Sequence, residues 1–520
     1  MHHSDPLPVA AIEIGSTSVR MVVAEVRQGG KVRVLDSLQQ AVSLGKDTFT
    51  KGQIGRDTAE ECVKALRSFR RVMREYGIDG ERRIRTVATS AVREASNQQA
   101  FLDRLFIATD FEIEVLDQAE VNRLTYLAVR PVLNRQTFFR KSDTLVVEVG
   151  GGSTETMLFH RGRVGNSHMY RLGSLRLREM LEEYTASDTR RRRMMRTYVD
   201  QLVAEVLAGA GTLTSPHMLA LGGEARFARA QLRSRDVTDE PALLAADRFE
   251  SLVNDILRLS VDDVVRRYRL SYQESETAGP ALLIYARLAK ALKLKNILVG
   301  AASLRDGMLA EMASGGAWTA EFKSQIINSA METGKRYAID LRHAHNVAKA
   351  AKLMFAALGR EHNLSDRDEV ILTVAALLHE SGQFVSVTAH HKHSLYLILN
   401  SEIFGLGPRD IKIAALVARY HRRALPKPTH PEFMALPKDD RIRVLKLAAI
   451  LRLANALDRG HASREFNPRF AVEEGKLIVT VSPKGDLTLG ELRAQERSEL
   501  FRQVYAMDVV LRAGAGTRKP

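Results

Sequence analysis

The sequence predicts a duplicated α/β fold, followed by a helical half and a small α+β unit. Three observations carry this expectation. Two stretches, Ala10-Ala11-Ile12-Glu13-Ile14-Gly15-Ser16-Thr17-Ser18 and Leu145-Val146-Val147-Glu148-Val149-Gly150-Gly151-Gly152-Ser153-Thr154-Glu155, share one order: apolar strand, acidic residue, then a glycine and hydroxyl turn. Strand-turn-helix order runs twice, up to about Met312, which favours two copies of one α/β unit over a continuous doubly wound sheet. From about Ala320 to Arg464 the pattern turns helical.

The elements follow in order. Strands are expected at Val9 to Ile14, Val19 to Val26 and Val32 to Ser37, then a helix from about Asp57 to Tyr76. In that helix Cys62, Leu66, Phe69, Met73 and Tyr76 recur at three- and four-residue steps, an apolar stripe that reads as core; Asp57 is its expected cap and Gly77 its stop. A strand at Arg83 to Ala88 leads through the turn Thr89-Ser90-Ala91-Val92-Arg93 to a helix near Gln98 to Phe106. The strand Phe111 to Leu116 ends at Asp117, which suits the cap of a helix from Gln118 to Val129. The second turn copy opens at Asp143, and Ser314-Gly315-Gly316 marks a linker. Long helical runs include Glu369 to Leu378 and Arg441 to Leu457. Phe470 to Glu474, Lys476 to Ser482, Gly490 to Tyr505 and Met507 to Arg512 read as strand, strand, helix, strand, with a frayed end at Gly514 to Pro520.

Composition bounds the function. At roughly 150 residues per domain, the 520 residues imply three or four domains. Apolar residues make up 45% and charged residues 27%, an ordinary globular balance. No apolar run approaches the ~18 residues of a membrane span, and the first residues lack a basic segment followed by an apolar one. The single cysteine, Cys62, excludes an internal disulfide, and a reducing cytoplasm is the expected compartment. A net charge of +15 favours a polyanionic partner without choosing among nucleic acid, polyphosphate, nucleotide and acidic membrane. The densest basic run, Arg190 to Arg193 with Arg196, reads better as a solvated helix face than as a dedicated polyanion contact.

The twin turns carry the chemistry. Glycines let a backbone turn sharply with its N–H groups inward, and Ser or Thr hydroxyls add donors, so each turn can cradle a phosphate oxygen. On this reading Gly15, Ser16, Thr17 and Ser18 form one cradle, and Gly150, Gly151, Gly152, Ser153 and Thr154 the other. Either turn alone equally suits a tight strand connection; the repetition argues for function. A carboxylate at each strand end offers a place for a magnesium ion that bridges phosphate oxygens.

Taken together, the motifs AAIEIGSTSVRM, VATSAVREASN, VEVGGGSTE, LGS at Leu172 to Ser174, LGGEARFARA, LLHESGQ, HHKHSLYLILNSEIFGL, RYHRR and LRLANALDR give a chain that resembles the exopolyphosphatase and guanosine pentaphosphate phosphatase (Ppx/GppA) family over nearly its full length. The resemblance implies two actin-like (ribonuclease H-like) lobes at 1–130 and 131–315, an all-α HD-like domain at 316–465 and a small α+β C-terminal domain at 466–515. It implies removal of terminal phosphates from inorganic polyphosphate, or hydrolysis of pppGpp to ppGpp, with magnesium as cofactor, in a homodimer. It places Glu13, Glu148 and Glu155 near the metal and Arg93 beside the phosphates, where a planar guanidinium holds two oxygens at once. Gly222-Gly223-Glu224-Ala225-Arg226 falls where the family has a third glycine-rich turn.

The chain departs from the family pattern. Glu13, Thr17 and Glu148 stand where the family has Asp, Asn and Asp, and magnesium's tight octahedron tolerates the longer Glu poorly. The family's catalytic glutamate, which orients the attacking water and takes its proton, aligns with Val121. Glu120 is the neighbouring candidate, but adjacent helical positions point about 100° apart. The other reading of Glu120 is a solvent-facing helical residue.

Ten of the fifteen histidines lie from His343 onward. HD phosphohydrolases bind metal with a distant His, a His-Asp pair and a later Asp; the counterparts here are His343 or His345, His379 with Glu380, and Asp458. Imidazoles and carboxylates suit several divalent metals, while structural or polyanion-contacting histidines are the alternative. His390, His391, Lys392 and His393, with His421, Arg422 and Arg423, form either a basic channel for a long polyphosphate or a solvated loop. The leading expectation is thus a phosphohydrolase. A polyphosphate or (p)ppGpp binder without turnover is the second reading, and a sugar kinase or ATPase with the actin-like core the third.

Overall fold

The apolar run Leu7–Ile14 forms strand β1, and the two faces of that strand enter different cores. Ala10, Ile12 and Ile14 pack with the helix Arg56–Glu75, whereas Val9 and Ala11 meet Leu304, Met308 and Leu309. Burial on both faces is why the sequence reads as a continuous apolar run rather than an alternation. The computed structural model describes residues 7–27, 30–80, 83–182, 184, 187–233, 241–314, 318–422, 424–458, 468–481 and 497–513. The chain divides into two compact units, Met1–Ala317 and Trp318–Pro520.

The first unit holds two sheets. Strands β2 (Ser18–Arg27), β3 (Lys31–Ala41), β4 (Ile84–Ala88) and β5 (Ile113–Val115) complete the first, in the order β3-β2-β1-β4-β5. The second contains β6 (Asp143–Val149), β7 (Thr154–His160), β8 (Arg163–Tyr170), β9 (His217–Leu221), β10 (Ala242–Ala245) and β11 (Asn296–Val299), in the order β8-β7-β6-β9-β11-β10. In each sheet a meander of three antiparallel strands is followed by two parallel ones: β1 pairs with β2 and β4 as β6 pairs with β7 and β9. The second sheet adds only the antiparallel edge strand β10. Shared order, direction and turn chemistry make these two copies of one actin-like, ribonuclease H-like unit.

Several local expectations are corrected. Asp57 lies in the first turn of its helix, and Gly55 is the N-cap. Asp47 takes the anchoring role instead, accepting from Gly55 N at 3.0 Å and Thr58 Oγ1 at 2.6 Å, and it belongs to the helix Leu44–Lys51. The turn after β4 is one short helix, Ser90–Glu94. Asp117 does cap Gln118–Asn134, accepting from Glu120 N at 2.9 Å. Cys62, Leu66, Phe69 and Met73 are buried as core, and burial pushes the Cys62 thiol up to about 12. The arginine run sits on the helix Asp188–Ala210, where Arg191 pairs with Asp188 and Arg192 donates to the Leu257 carbonyl.

The second unit packs helices Ala320–Arg336, Leu341–Ala357, Asp366–Leu378, His390–Leu399, Pro408–Arg419 and Lys438–Asp458, with a sheet of β12 (Arg469–Glu473), β13 (Lys476–Val481) and β14 (Asp508–Ala513). The helix expected at Gly490 to Tyr505 is described only as Glu499–Tyr505; the linker Gly315-Gly316 and the tail Gly514 to Pro520 lie outside the described residues. No described helix is long and apolar enough to cross a membrane.

Candidate active site

The twin turns face each other across a cavity of about 110 Å³ within the first unit. Its lining includes Glu13, Gly15, Ser16, Thr17 and Ser18 from one copy and Glu148, Gly150, Gly151, Ser153 and Glu155 from the other. In each turn the first glycine spends its N–H on the carbonyl three residues on: Gly15 on Ser18 at 3.0 Å, Gly150 on Ser153 at 2.9 Å. That bond closes the turn and leaves the N–H groups of Ser16, Thr17, Gly151 and Gly152 without an acceptor among the described residues. The copies approach so closely that a Cβ on Gly151 would lie 3.0 Å from the Ser16 Cβ, so a side chain there would push them apart. Gly222, at φ +97°, turns the chain after β9 so that the helix Gly223–Leu232 begins at the cavity wall, with the positive end of its dipole towards any anion. Tyr285 braces the second copy from behind: its hydroxyl accepts from Val149 N at 2.8 Å and donates to the Leu221 carbonyl.

The charges around the cavity are unevenly satisfied. Glu13 is ion-paired to Arg305. Glu148 has no ion pair among the described residues, and burial, with Glu155 and Glu13 nearby, pushes its carboxyl up to about 8. Glu155 lies directly opposite it across β6 and β7. Burial raises Glu155 as well, against the lowering pull of Arg93 and a 3.1 Å hydrogen bond from Ser153 Oγ. Three arginines, Arg20, Arg226 and Arg305, also line the cavity. Arg226 Nη1 and Arg305 Nε are buried donors with no hydrogen-bond partner. Stranding such donors costs about 1–3 kcal/mol each or more, a cost that an oxyanion within their reach would remove.

Not every expected residue reaches the cavity. Gly152 packs against Phe49 and Ser90, and Thr154 Oγ1 donates to the Leu172 carbonyl at 2.6 Å, so neither lines it. Arg93 stands just behind the lining: its Nη1 donates to the Leu116 carbonyl at 2.7 Å, and its charge acts on Glu155. Glu120 is also absent from the lining. Its carboxylate is held by Arg123, which reaches on to Glu311, and Val121 presents its apolar side chain to the cavity instead. Arg20, Arg226 and Arg305 went unassigned from sequence. Arg226 sat inside the quoted GGEAR segment, but Arg305 lies 292 residues from its partner Glu13, with no local signal.

The carboxylates do not form a closed ligand set, since no three of the cavity carboxylates bring their oxygens within 4.8 Å of one another. Glu13 is already neutralised by Arg305. Glu148 and Glu155 are not: two half-buried like charges face each other across a strand pair, which disfavours both, and a hard cation with oxygen ligands would answer that.

In the second unit the basic-channel expectation is corrected. His390 and His421 are 2% and 1% exposed, with their Nε2 atoms 3.2 Å apart. They are packed in the interior, not laid along a groove. His391, His393 and Arg422 are half-buried and Lys392 is exposed, while Arg423 lies outside the described residues. His343 and His379 join the buried pair: ring centroids of His379 lie 5.3 Å from His343 and 4.8 Å from His421. Burial pushes His379 down to about 4. Asp458 accepts from His343 Nδ1 at 2.6 Å.

Comparison with known proteins agrees with this architecture. Residues 22–315 match the model of the Ppx/GppA phosphatase family, and residues 327–494 that of Ppx/GppA phosphatase, domain III. The chain is 24% identical over 513 residues to a guanosine-5'-triphosphate,3'-diphosphate pyrophosphatase of Aeromonas hydrophila, covering 96% of this chain and 97% of that protein. A protein of the same name from Pseudoalteromonas atlantica is 24% identical over 462 residues, 85% of this chain and 86% of the relative. Among solved structures, an exopolyphosphatase from Cytophaga hutchinsonii superposes with a TM-score of 0.54 at 19% identity, over 60% of this chain and 99% of that one. The matched family model spans more than half of the 520 residues, and the chain belongs to the Ppx/GppA phosphatase family.

Proposed function

We propose that the protein removes the terminal phosphoryl group from a linear phosphoanhydride, either inorganic polyphosphate or the 5'-triphosphate of pppGpp. One observation carries the reading: two glycine turns with free N–H groups and two arginines, each with one buried N–H that lacks a partner, line one small cavity. The free amides and the Arg226 and Arg305 guanidiniums would take up the oxygens of the transferring group, where charge spreads in the transition state. Magnesium, held by Glu155, would supply further charge neutralisation.

Water then adds to the terminal phosphorus, the bridging P–O bond breaks, and orthophosphate leaves behind a chain one phosphate shorter. The attacking water needs a proton acceptor, which Val121 cannot be and which Glu120, clamped by Arg123, does not reach. Glu148 fills that role in its ionised form: a cavity carboxyl pushed up to about 8 is a stronger base than an ordinary carboxylate, and the base form grows as pH rises through that value. The test is orthophosphate release from polyphosphate and from pppGpp at matched ionic strength, with and without magnesium. Magnesium-dependent release that is lost in Glu148→Gln supports the reading. Val121 favours a second one, a polyphosphate or pppGpp binder without turnover, which predicts saturable, salt-sensitive binding and no orthophosphate.

A further inference from the structure

The four buried histidines of the second unit share one arrangement. His379 Nδ1 donates to the Ala376 carbonyl at 2.7 Å, His421 Nδ1 to the Ala418 carbonyl at 2.6 Å, and His390 Nδ1 to the Val387 carbonyl at 3.2 Å. The fourth, His343, directs Nδ1 at the Asp458 carboxylate, which Asn346 holds in turn at 3.0 Å. A neutral ring that donates from Nδ1 carries its lone pair on Nε2, so in the neutral form all four tautomers are set the same way. Holding one nitrogen by a carbonyl or carboxylate and presenting the other is how a protein orients imidazoles towards a metal.

The presented nitrogens meet at Glu380. His343, His379 and Glu380 place their ligand atoms within 4.8 Å of one another, and so do Glu380, His390 and His421. The His343 Nε2 lies 3.8 Å from the Glu380 carboxylate. The His379 Nε2 is fully buried and makes no hydrogen bond of ordinary geometry, with the Asn455 amide beside it. A buried ring nitrogen with no better partner than that amide is costly. The His390 and His421 pair points the same way. Two Nε2 lone pairs facing each other at 3.2 Å repel unless one is protonated or both bind the same cation. Adjacent ligands on one ion with metal–nitrogen bonds of ~2.0–2.1 Å stand about 3.0–3.4 Å apart. Glu380 is the one member with solvent access, its side chain 20% exposed, so an ion has a way in.

We propose that this cluster is a two-ion centre for divalent transition metals, with Glu380 shared between a His343–His379 position and a His390–His421 position. The nitrogen-rich donor set selects zinc, iron(II), cobalt(II) or nickel(II) over magnesium and calcium, which prefer oxygen. The centre is separate from the phosphate cavity and does not depend on the function proposed for it. It also gives the buried histidines a common purpose, which a polyanion channel does not.

The experiment uses the full chain without an affinity tag, stripped with a chelator, loaded with cobalt(II) and desalted. Metal content and the visible d–d bands of bound cobalt are then read. The expected result is about two cobalt ions per chain, falling to about one in His390→Gln/His421→Gln and to less than one in Glu380→Gln. His2→Gln/His3→Gln, which removes the adjacent histidines at the start of the sequence, keeps full loading. Should a cluster variant fail to fold, the wild type still decides: cobalt or zinc must raise its melting temperature by several degrees. Less than half an equivalent of cobalt in the wild type, no thermal shift, or undiminished loading in folded Glu380→Gln overturns the proposal.

Discussion

The two acid-bearing turns are near copies in backbone, yet their carboxylates live under different electrostatics. Glu13, at the end of β1, is neutralised by Arg305. Glu148, at the matching place on β6, has no such partner and faces Glu155 across the strand pair, which with burial drives it up to about 8. A duplicated unit thus supplies two equivalent cradles, and one distant arginine makes one carboxylate a structural ion pair and the other a titrating group. Chemistry in a duplicated fold is assigned by what packs against each copy, not by the repeated motif.

The largest effects break this asymmetry. Glu148→Gln is expected to lower orthophosphate release by about 10²–10⁴-fold, the range for a lost general base, whereas Glu13→Gln loses about tenfold or less because the ion pair serves position rather than proton transfer. Equal losses in steady-state assays of the two variants would remove the distinction. Arg226→Gln, which deletes a buried donor, is expected to cost about 10²-fold in kcat/KM.

The next effect concerns pH. A carboxyl raised in the folded state lends stability that is whole below the unfolded value near 4.5 and is lost as pH rises through about 8. Metal-free wild type should therefore melt lower at pH 9 than at pH 6, by a free energy on the order of a few kcal/mol, and Glu148→Gln should flatten that part of the profile. A wild-type melting curve unchanged across this window contradicts the assignment. Gly151→Ala is expected to reduce release by about tenfold, since the new methyl meets the Ser16 side chain and separates the cradles. Glu120→Gln is the smallest, with release within twofold of wild type and at most about 1 kcal/mol of stability lost with the Arg123 pair.

Much of the frame was legible in the sequence because local rules write it there. The turn copies, the apolar stripe of Cys62 to Met73 and the Asp117 cap depend on residues a few positions apart. Asp57 failed as a cap because Gly55 opens the helix and Asp47, ten residues earlier, holds its first turn; the helix containing Asp47 lacks a strong apolar stripe. The site was less legible where charges meet from far along the chain. No spacing rule joins Glu13 to Arg305, or shows that Arg93 donates to the Leu116 carbonyl. The histidines invited a surface reading because His390 to His393 sit in a basic stretch. Only tertiary packing separates His390, which faces inward, from Lys392, which faces water.

The account rests on the cavity between the twin turns being the place where a terminal phosphoryl group is gripped and cut. The most direct measurement is orthophosphate release from polyphosphate and pppGpp with magnesium, comparing wild type, Arg226→Gln and Glu148→Gln at one ionic strength. Release from at least one substrate in the wild type, with loss in both folded variants, is the predicted result. No release from either substrate, or release undiminished in both variants, contradicts it.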